Sequence, residues 1–218
     1  EDPQTNEEAV ALWRITVKDS DERKIGRAIF NSVNELGLAT IPGMFGIGGG
    51  GNARPFGIHW PALIPSDLVP QHVIILDGER TIVESRILGD PVTIESPDDK
   101  VPIDDFGKTV KAPLGLLVGA RSGDKTGNAN LGVFARNKDT WLWLDSFLTT
   151  EKFQELLPET SELQIDRYRL PKIFSLNFLV HGLLEEGVAS STRQDSQAKS
   201  FGEWLRARVV DVPEGLIN

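Results

Sequence analysis

Arg121, Asp124, Lys125, Asn128 and Asn130 crowd one short run, Arg121-Ser122-Gly123-Asp124-Lys125-Thr126-Gly127-Asn128-Ala129-Asn130. A guanidinium and an ammonium this close suit the oxygens of a carboxylate or phosphate. Each charged hydrogen bond gives about 1.5–3 kcal/mol where water is partly excluded. Asp124 supplies a counter-charge or a proton acceptor, Ser122 a weak nucleophile candidate, and the amides of Asn128 and Asn130 further ligand contacts. The competing reading is an ion-pair network that locks a hairpin to its sheet, with the two Asn side chains satisfying backbone groups. A second set, Asn177, Arg193, Asp195 and Lys199, approaches the same run if the central strands pair. Otherwise Asp195 caps a helix and Lys199 is solvated.

His59 precedes Trp60 and follows the glycines Gly46 and Gly48–Gly51. It is the candidate acid or base, against the alternative of a structural imidazole. Gly49 and Gly50, free of side chains, let a backbone approach a ligand, unless the run is a plain surface loop. His72 begins a strand and His181 stands before Gly182 at a break, where structural roles are the default.

Several familiar chemistries are excluded. Gly119, Lys125 and Thr126 match places of a phosphate-binding P-loop, but Asp124 stands where its second glycine belongs, and a strand follows where a helix must start. Gly46, Gly48 and Gly51 carry dinucleotide-type spacing but follow a helix and a Pro-Gly break rather than a strand. No G-x-S-x-G elbow is present. With no cysteine and no two histidines at ligand spacing, neither a metal nor a cofactor is assigned. Asp98-Asp99 and Asp104-Asp105 sit among prolines and read as solvated acids.

The chain has 218 residues, 39% of them apolar, which suits one large or two small domains. Its 32 acids against 23 bases exclude generic binding to nucleic acid or an anionic membrane. No apolar run reaches a span of about 18 residues, and Glu1-Asp2-Pro3 reads as a cut or linker end rather than a secretory start. The absence of cysteine suits a reducing compartment, and the cytoplasm is the default.

Period-two alternation predicts a strand over Val10–Lys18, and Ile25, Ile29, Val33 and Leu36 predict a helix stopped by a left-handed Gly37. A long loop follows, and Asp77-Gly78 then turns a hairpin between His72–Leu76 and Thr81–Leu88. A Pro- and Asp-rich linker over 89–111, with a short strand at Val92–Ile94, places a boundary near Gly107. Beyond it the pattern predicts strands over Leu114–Ala120, Ala129–Ala135, Leu163–Leu170 and Phe174–Val180, with the charged run as a loop between the first two. Helices are expected over Thr150–Leu157, beginning as early as Thr140, and over Ser196–Arg208. The fold class is α+β, with a small sheet covered by two helices as a ferredoxin-like α/β sandwich over 107–218.

The residues ARSGDKTGNANLGVFAR (Ala120–Arg136), YRLPKIFSLNFLVHGLL (Tyr168–Leu184) and RQDSQAKSFGEWL (Arg193–Leu205) resemble, in order, the C-terminal domain of the acyclic terpene utilisation, or AtuA-like, family. LWRITVKDSDERKIGRAI, PGMFGIGGGG and HWPALIPSDLV, all in residues 1–106, look like the end of that family's larger α/β domain. The resemblance implies a role in the catabolism of acyclic terpenes or related branched acyl-CoA or carboxylate compounds, with the chemical step open. It implies a small anionic substrate, an acyl-CoA among the classes, and a larger N-terminal domain or partner subunit in a homo- or hetero-oligomer. The alternative is a non-catalytic assembly module docked on that larger partner. Glu185-Glu186-Gly187 departs from the small Gly-rich stretch usual in the family, adding negative charge there.

Overall fold

The computed structural model describes residues 2–37, 39, 42–48, 50–76, 78–84, 89 and 105–217, which divide into two units, Glu1–Gly57 and Ile58–Asn218. The expected strand at Val92–Ile94, the acids Asp98, Asp99 and Asp104, and Gly49 lie outside the described residues.

In the first unit, α1 (Asn6–Ala9) is capped by Thr5, and α2 (Arg27–Leu36) carries the expected apolar spacing. Gly37 ends α2 in the right-handed region (φ −56°), not the left-handed stop predicted, and its N–H bonds Asn34 O at 3.1 Å to tighten the last turn. Gly26 (φ 75°) opens this helix, where an added Cβ would stand 2.7 Å from Ala53 N. The strand expected over Val10–Lys18 is not formed. Alternation supplies the faces of a strand but not its ladder, and no described strand pairs with this stretch, so Trp13 is left 71% exposed.

The second unit begins with β1 (Gln71–Ile75) and β2 (Glu79–Val83), the predicted antiparallel hairpin, with Gly78 at φ 100° in its turn. β3 (Thr109–Pro113) pairs with a late strand, β8 (Val209–Pro213). Neither was expected: proline at the end of each, and Lys111 and Asp211 facing solvent, gave both segments the composition of linkers.

Between them the chain forms β4 (Val118–Lys125), β5 (Asn128–Ala135), α3 (Lys138–Phe147), α4 (Thr150–Leu156), β6 (Ile165–Leu170), β7 (Ser175–Val180) and α5 (Phe201–Ala207). Leu114–Leu116, expected in strand, makes a 3-10 turn. The charged run is not a loop but the second half of β4, and only Thr126-Gly127 turns. An edge strand tolerates charge on both faces, so polarity here did not mean the end of the strand. One long helix from Thr140 is replaced by two, because Thr149 Oγ accepts from Lys152 N–H and restarts the helix. α5 is shorter than predicted, since Ala198 takes φ 52° before it.

The four central strands lie antiparallel in the order β4-β5-β7-β6. α3 and α4 connect β5 to β6, β7 is inserted between those two strands and α5 follows it, as in a ferredoxin-like sandwich, but β4 takes the edge beside β5 while β8 pairs with β3 in a separate two-stranded sheet. Leu131, Val133, Leu176, Phe178 and Val180 are buried on one face beneath the helices, where Phe153 stacks on Phe178 at 4.3 Å between ring centres. All buried hydrophobic side chains among the described residues lie between Leu114 and Val212. The opposite face, carrying Arg121, Phe134 and Tyr168, is open to solvent. No described helix is long and apolar enough to cross a membrane.

At the β6 edge the covered face carries Arg167 and Arg169. Both guanidiniums converge on the buried Asp145 of α3, with Arg167 Nη2 at 2.8 Å and Arg169 Nε at 2.9 Å from Oδ1. Arg167 Nε also donates to Leu148 O (3.0 Å), so a single carboxylate ties the end of α3 to the edge strand.

Candidate functional site

Because side chains alternate along β4, Arg121, Gly123 and Lys125 share the open face, while Ala120, Ser122 and Asp124 face α5. Gly202, inside α5, brings that helix close: its N–H donates to Ser122 Oγ at 2.8 Å, and an added Cβ would meet Ala120 Cβ at 3.3 Å. Ser122 Oγ in turn donates to Lys199 O at 3.4 Å. Ser122 thus fastens α5 to the sheet, and among the described residues its hydroxyl bonds only backbone groups, Lys199 O and Gly202 N–H.

The turn before α5 delivers Lys199. Asp195 accepts hydrogen bonds from Lys199 N–H (2.7 Å), Ser200 N–H (2.9 Å) and Ser200 Oγ (2.8 Å). Burial raises its pKa, but the Ser200 hydroxyl and the two backbone donors outweigh this and leave the carboxyl below its usual value. The Lys199 ammonium is so placed that a Cβ on Gly123 would lie 2.9 Å from it. Lys199 therefore stands at the gap between Arg121 and Lys125, filling space that only glycine leaves open.

Arg121 has no hydrogen bond or ion pair with any described residue, whereas Lys125 donates to Asp124 O at 3.0 Å. Asp124 Oδ1 stands 3.9 Å from Lys199 Nζ, the outer limit of an ion pair, and both side chains are partly exposed. Glu203, the other nearby acid, is held by Arg206 at 2.6 Å. Arg121, Ser122, Lys199, Gly202 and Glu203 line a shallow depression of about 160 Å³. A whole drug-sized ligand needs about 300–1,000 Å³, so this space suits a headgroup.

The other expected site residues are dispersed. Asn128 Oδ1 accepts from Gly182 N–H (3.0 Å), and Asn130 Oδ1 accepts from Asn177 Nδ2 (3.0 Å), so Asn177 does meet the charged run. Arg193 pairs with Glu159 instead. His59 lies in an exposed, irregular stretch with no hydrogen bond or ion pair to a described residue. Gly50 belongs to the first unit, where the Phe30 ring occupies the place of a Cβ.

One pair went unnoticed in the sequence. His181 Nε2 donates to Asp166 Oδ2 at 2.8 Å, and this hydrogen bond is the main reason the Asp166 carboxyl lies below its ordinary pKa. Its only signal was the β6–β7 register, Ile165 opposite Val180, which sets His181 diagonally across from Asp166.

Residues 112–211 match the family model described as the AtuA ferredoxin-like domain. Over these residues the chain is similar to an AtuA ferredoxin-like domain. Neither a curated protein nor a solved structure matches the chain. The domain contains β4, α5 and the depression between them, so the cationic edge is a feature of the AtuA-like part of the molecule.

Proposed function

We propose that the β4 edge of the AtuA ferredoxin-like domain binds a small organic anion, in a protein serving the catabolism of acyclic terpenes or related branched acyl-CoA or carboxylate compounds. Arg121 and Lys199 hold the charge, Lys125 adds to the local potential, and Ser122 keeps α5 in place. Asp124, beside Lys199, is the group available to accept a proton. The observation that carries this reading is the Lys199 ammonium over Gly123, next to an Arg121 that pairs with no carboxylate among the described residues. Cations gathered around a single carboxylate repel one another, and a ligand anion offsets that repulsion.

Calorimetric titration of the full chain with hexanoate tests it. Arg121→Ala and Lys199→Ala should each weaken binding on the order of tenfold, one charged hydrogen bond apiece. Unchanged affinity in both folded variants would reject the site.

A second reading is favoured by a different observation. Ile74, Ile75 and Ile82 on the β1–β2 hairpin are 64%, 70% and 64% exposed. That suits a surface covered by the rest of a larger domain or by a partner subunit, in a chain that serves as an assembly module.

A further inference from the structure

Phe134 on β5 stands directly opposite Gly119 of β4, and its ring covers that glycine. Cζ is the ring atom nearest to where a Gly119 Cβ would stand, with Cε2 and Cε1 at 2.5 and 2.8 Å. An atom beyond Cζ in the ring plane would be farther than this from at least one Cε, so the ring turns a face, not an edge, toward the backbone. Covering a strand glycine in this way supports the sheet. The other face is left over: Phe134 is 42% exposed and meets no other ring or cation among the described residues. A phenyl ring held flat and bared on one side is a surface on which a second planar ring stacks.

Arg121 is the diagonal neighbour of Phe134 across the β4–β5 pair, at about 7–8 Å. Between them lies Gly132, opposite Arg121. Among the described residues only Arg121 O and Asn177 Oδ1 come within 4 Å of where a Gly132 Cβ would stand, at 3.8 and 3.9 Å, so the floor between ring and guanidinium is bare. Ring, floor and cation run in one line along the two strands, and Lys199 continues it at Gly123.

We propose that this line binds a phosphorylated nucleoside. The base stacks on the outer face of Phe134, the ribose lies over Gly132 beside the Asn177 amide, and the phosphate rests at Arg121 and Lys199. The proposal rests on the anion site at the β4 edge and names its ligand class. A ribose hydroxyl both donates and accepts, so it meets the Asn177 amide whichever way that group is turned. Glycine at 132 lets the sugar approach the strand, where a side chain would fill the step between base and phosphate. A chain with 32 acids against 23 bases repels a polyanion, so the ligand is a single nucleotide rather than a nucleic acid. Its two sources are a free mononucleotide and the nucleotide end of a thioester carrier such as coenzyme A.

The test titrates the full chain with AMP and with ribose 5-phosphate, which share the sugar phosphate and differ by the base. Calorimetry should show AMP binding about tenfold tighter, the contribution of one stacked base. Phe134→Leu, which keeps an apolar cover on Gly119, should bring AMP down to the ribose 5-phosphate value and leave ribose 5-phosphate unchanged, whereas Arg121→Ala should weaken both. NMR of the unmodified protein should show ring-current shifts at Phe134 and at the amides of Gly119 and Gly132 with AMP but not with ribose 5-phosphate. Coenzyme A supports the same class in either outcome: binding at least as tight as that of AMP, with the same dependence on Phe134, makes the carrier the source, and weaker binding makes it a free nucleotide. Equal affinities for AMP and ribose 5-phosphate overturn the proposal while leaving the anion site standing, as does binding of hexanoate without either phosphate. An oligoadenylate that binds more tightly per nucleotide than AMP assigns the face to single-stranded RNA and overturns the proposal too. Failure of hexanoate, AMP and ribose 5-phosphate alike overturns both readings.

Discussion

Lys199 reaches its position because residue 123 has no side chain. Gly123→Ala places a methyl group 2.9 Å from the Lys199 ammonium, and that ammonium is the flexible end of a long side chain, so it moves rather than the backbone. The expected outcome is a several-fold loss of hexanoate affinity with stability changed by less than about 1 kcal/mol, because alanine suits a strand better than glycine does. Calorimetry and urea denaturation on the same sample separate the two effects. Gly127 behaves differently. A Cβ there would collide with Glu185 O, and the same turn is held by Leu184 N–H donating to Gly127 O at 2.9 Å. Backbone cannot swing aside as a lysine can, so Gly127→Ala should destabilise the chain by about 1–3 kcal/mol in urea.

At the scale of elements, a single carboxylate fixes α3 to β6. Asp145→Ala leaves the guanidiniums of Arg167 and Arg169, with side chains 10% and 17% exposed, without their shared counter-ion. Removing one partner of such a buried pair costs about 3–5 kcal/mol, to be read from the urea midpoint. The turn leading into α5 hangs on Asp195, whose carboxyl is held below its unfolded value. Its stabilisation is therefore complete above the unfolded pKa and lost as pH falls through the lower folded one. Asp195→Asn should be less stable than the parent at pH 7, and the gap should close as the pH drops below about 4; a gap that stays constant with pH contradicts the assignment. The same elements show what was legible in the sequence. β5, β6, β7, α2 and the β1–β2 hairpin follow from periodicity and turn chemistry, because each signal lies within one segment. The β3–β8 ladder, the Asp145 cluster and Lys199 over Gly123 join residues about 25 to 100 positions apart, and no local pattern records such contacts. The charged run was recognised as a concentration of charge, but its form as an edge strand depends on what flanks it in space.

On the scale of the whole molecule, apolar side chains are unevenly spent. The described buried hydrophobic residues fall between Leu114 and Val212, while of the described residues from 58 to 84 only His72 is not exposed. A two-stranded hairpin is marginal in water by itself, and this one bares Ile74 and Ile82 on one face with Val73 and Ile75 on the other. Burying such a surface stabilises it by about 25 cal/mol for each Å² of apolar area covered, so the purified chain should associate as its concentration rises. Light scattering coupled to size exclusion should show that growth in mass, and the double variant Ile74→Ser/Ile82→Ser should shift it back toward the mass of one chain. Circular dichroism should be unchanged in that variant, because the packed core lies elsewhere. If the parent chain stays a monomer at high concentration, the hairpin needs no cover and the assembly reading loses its support. The anion site is untouched by either result, since every residue it uses lies in the β4 strand or beside α5.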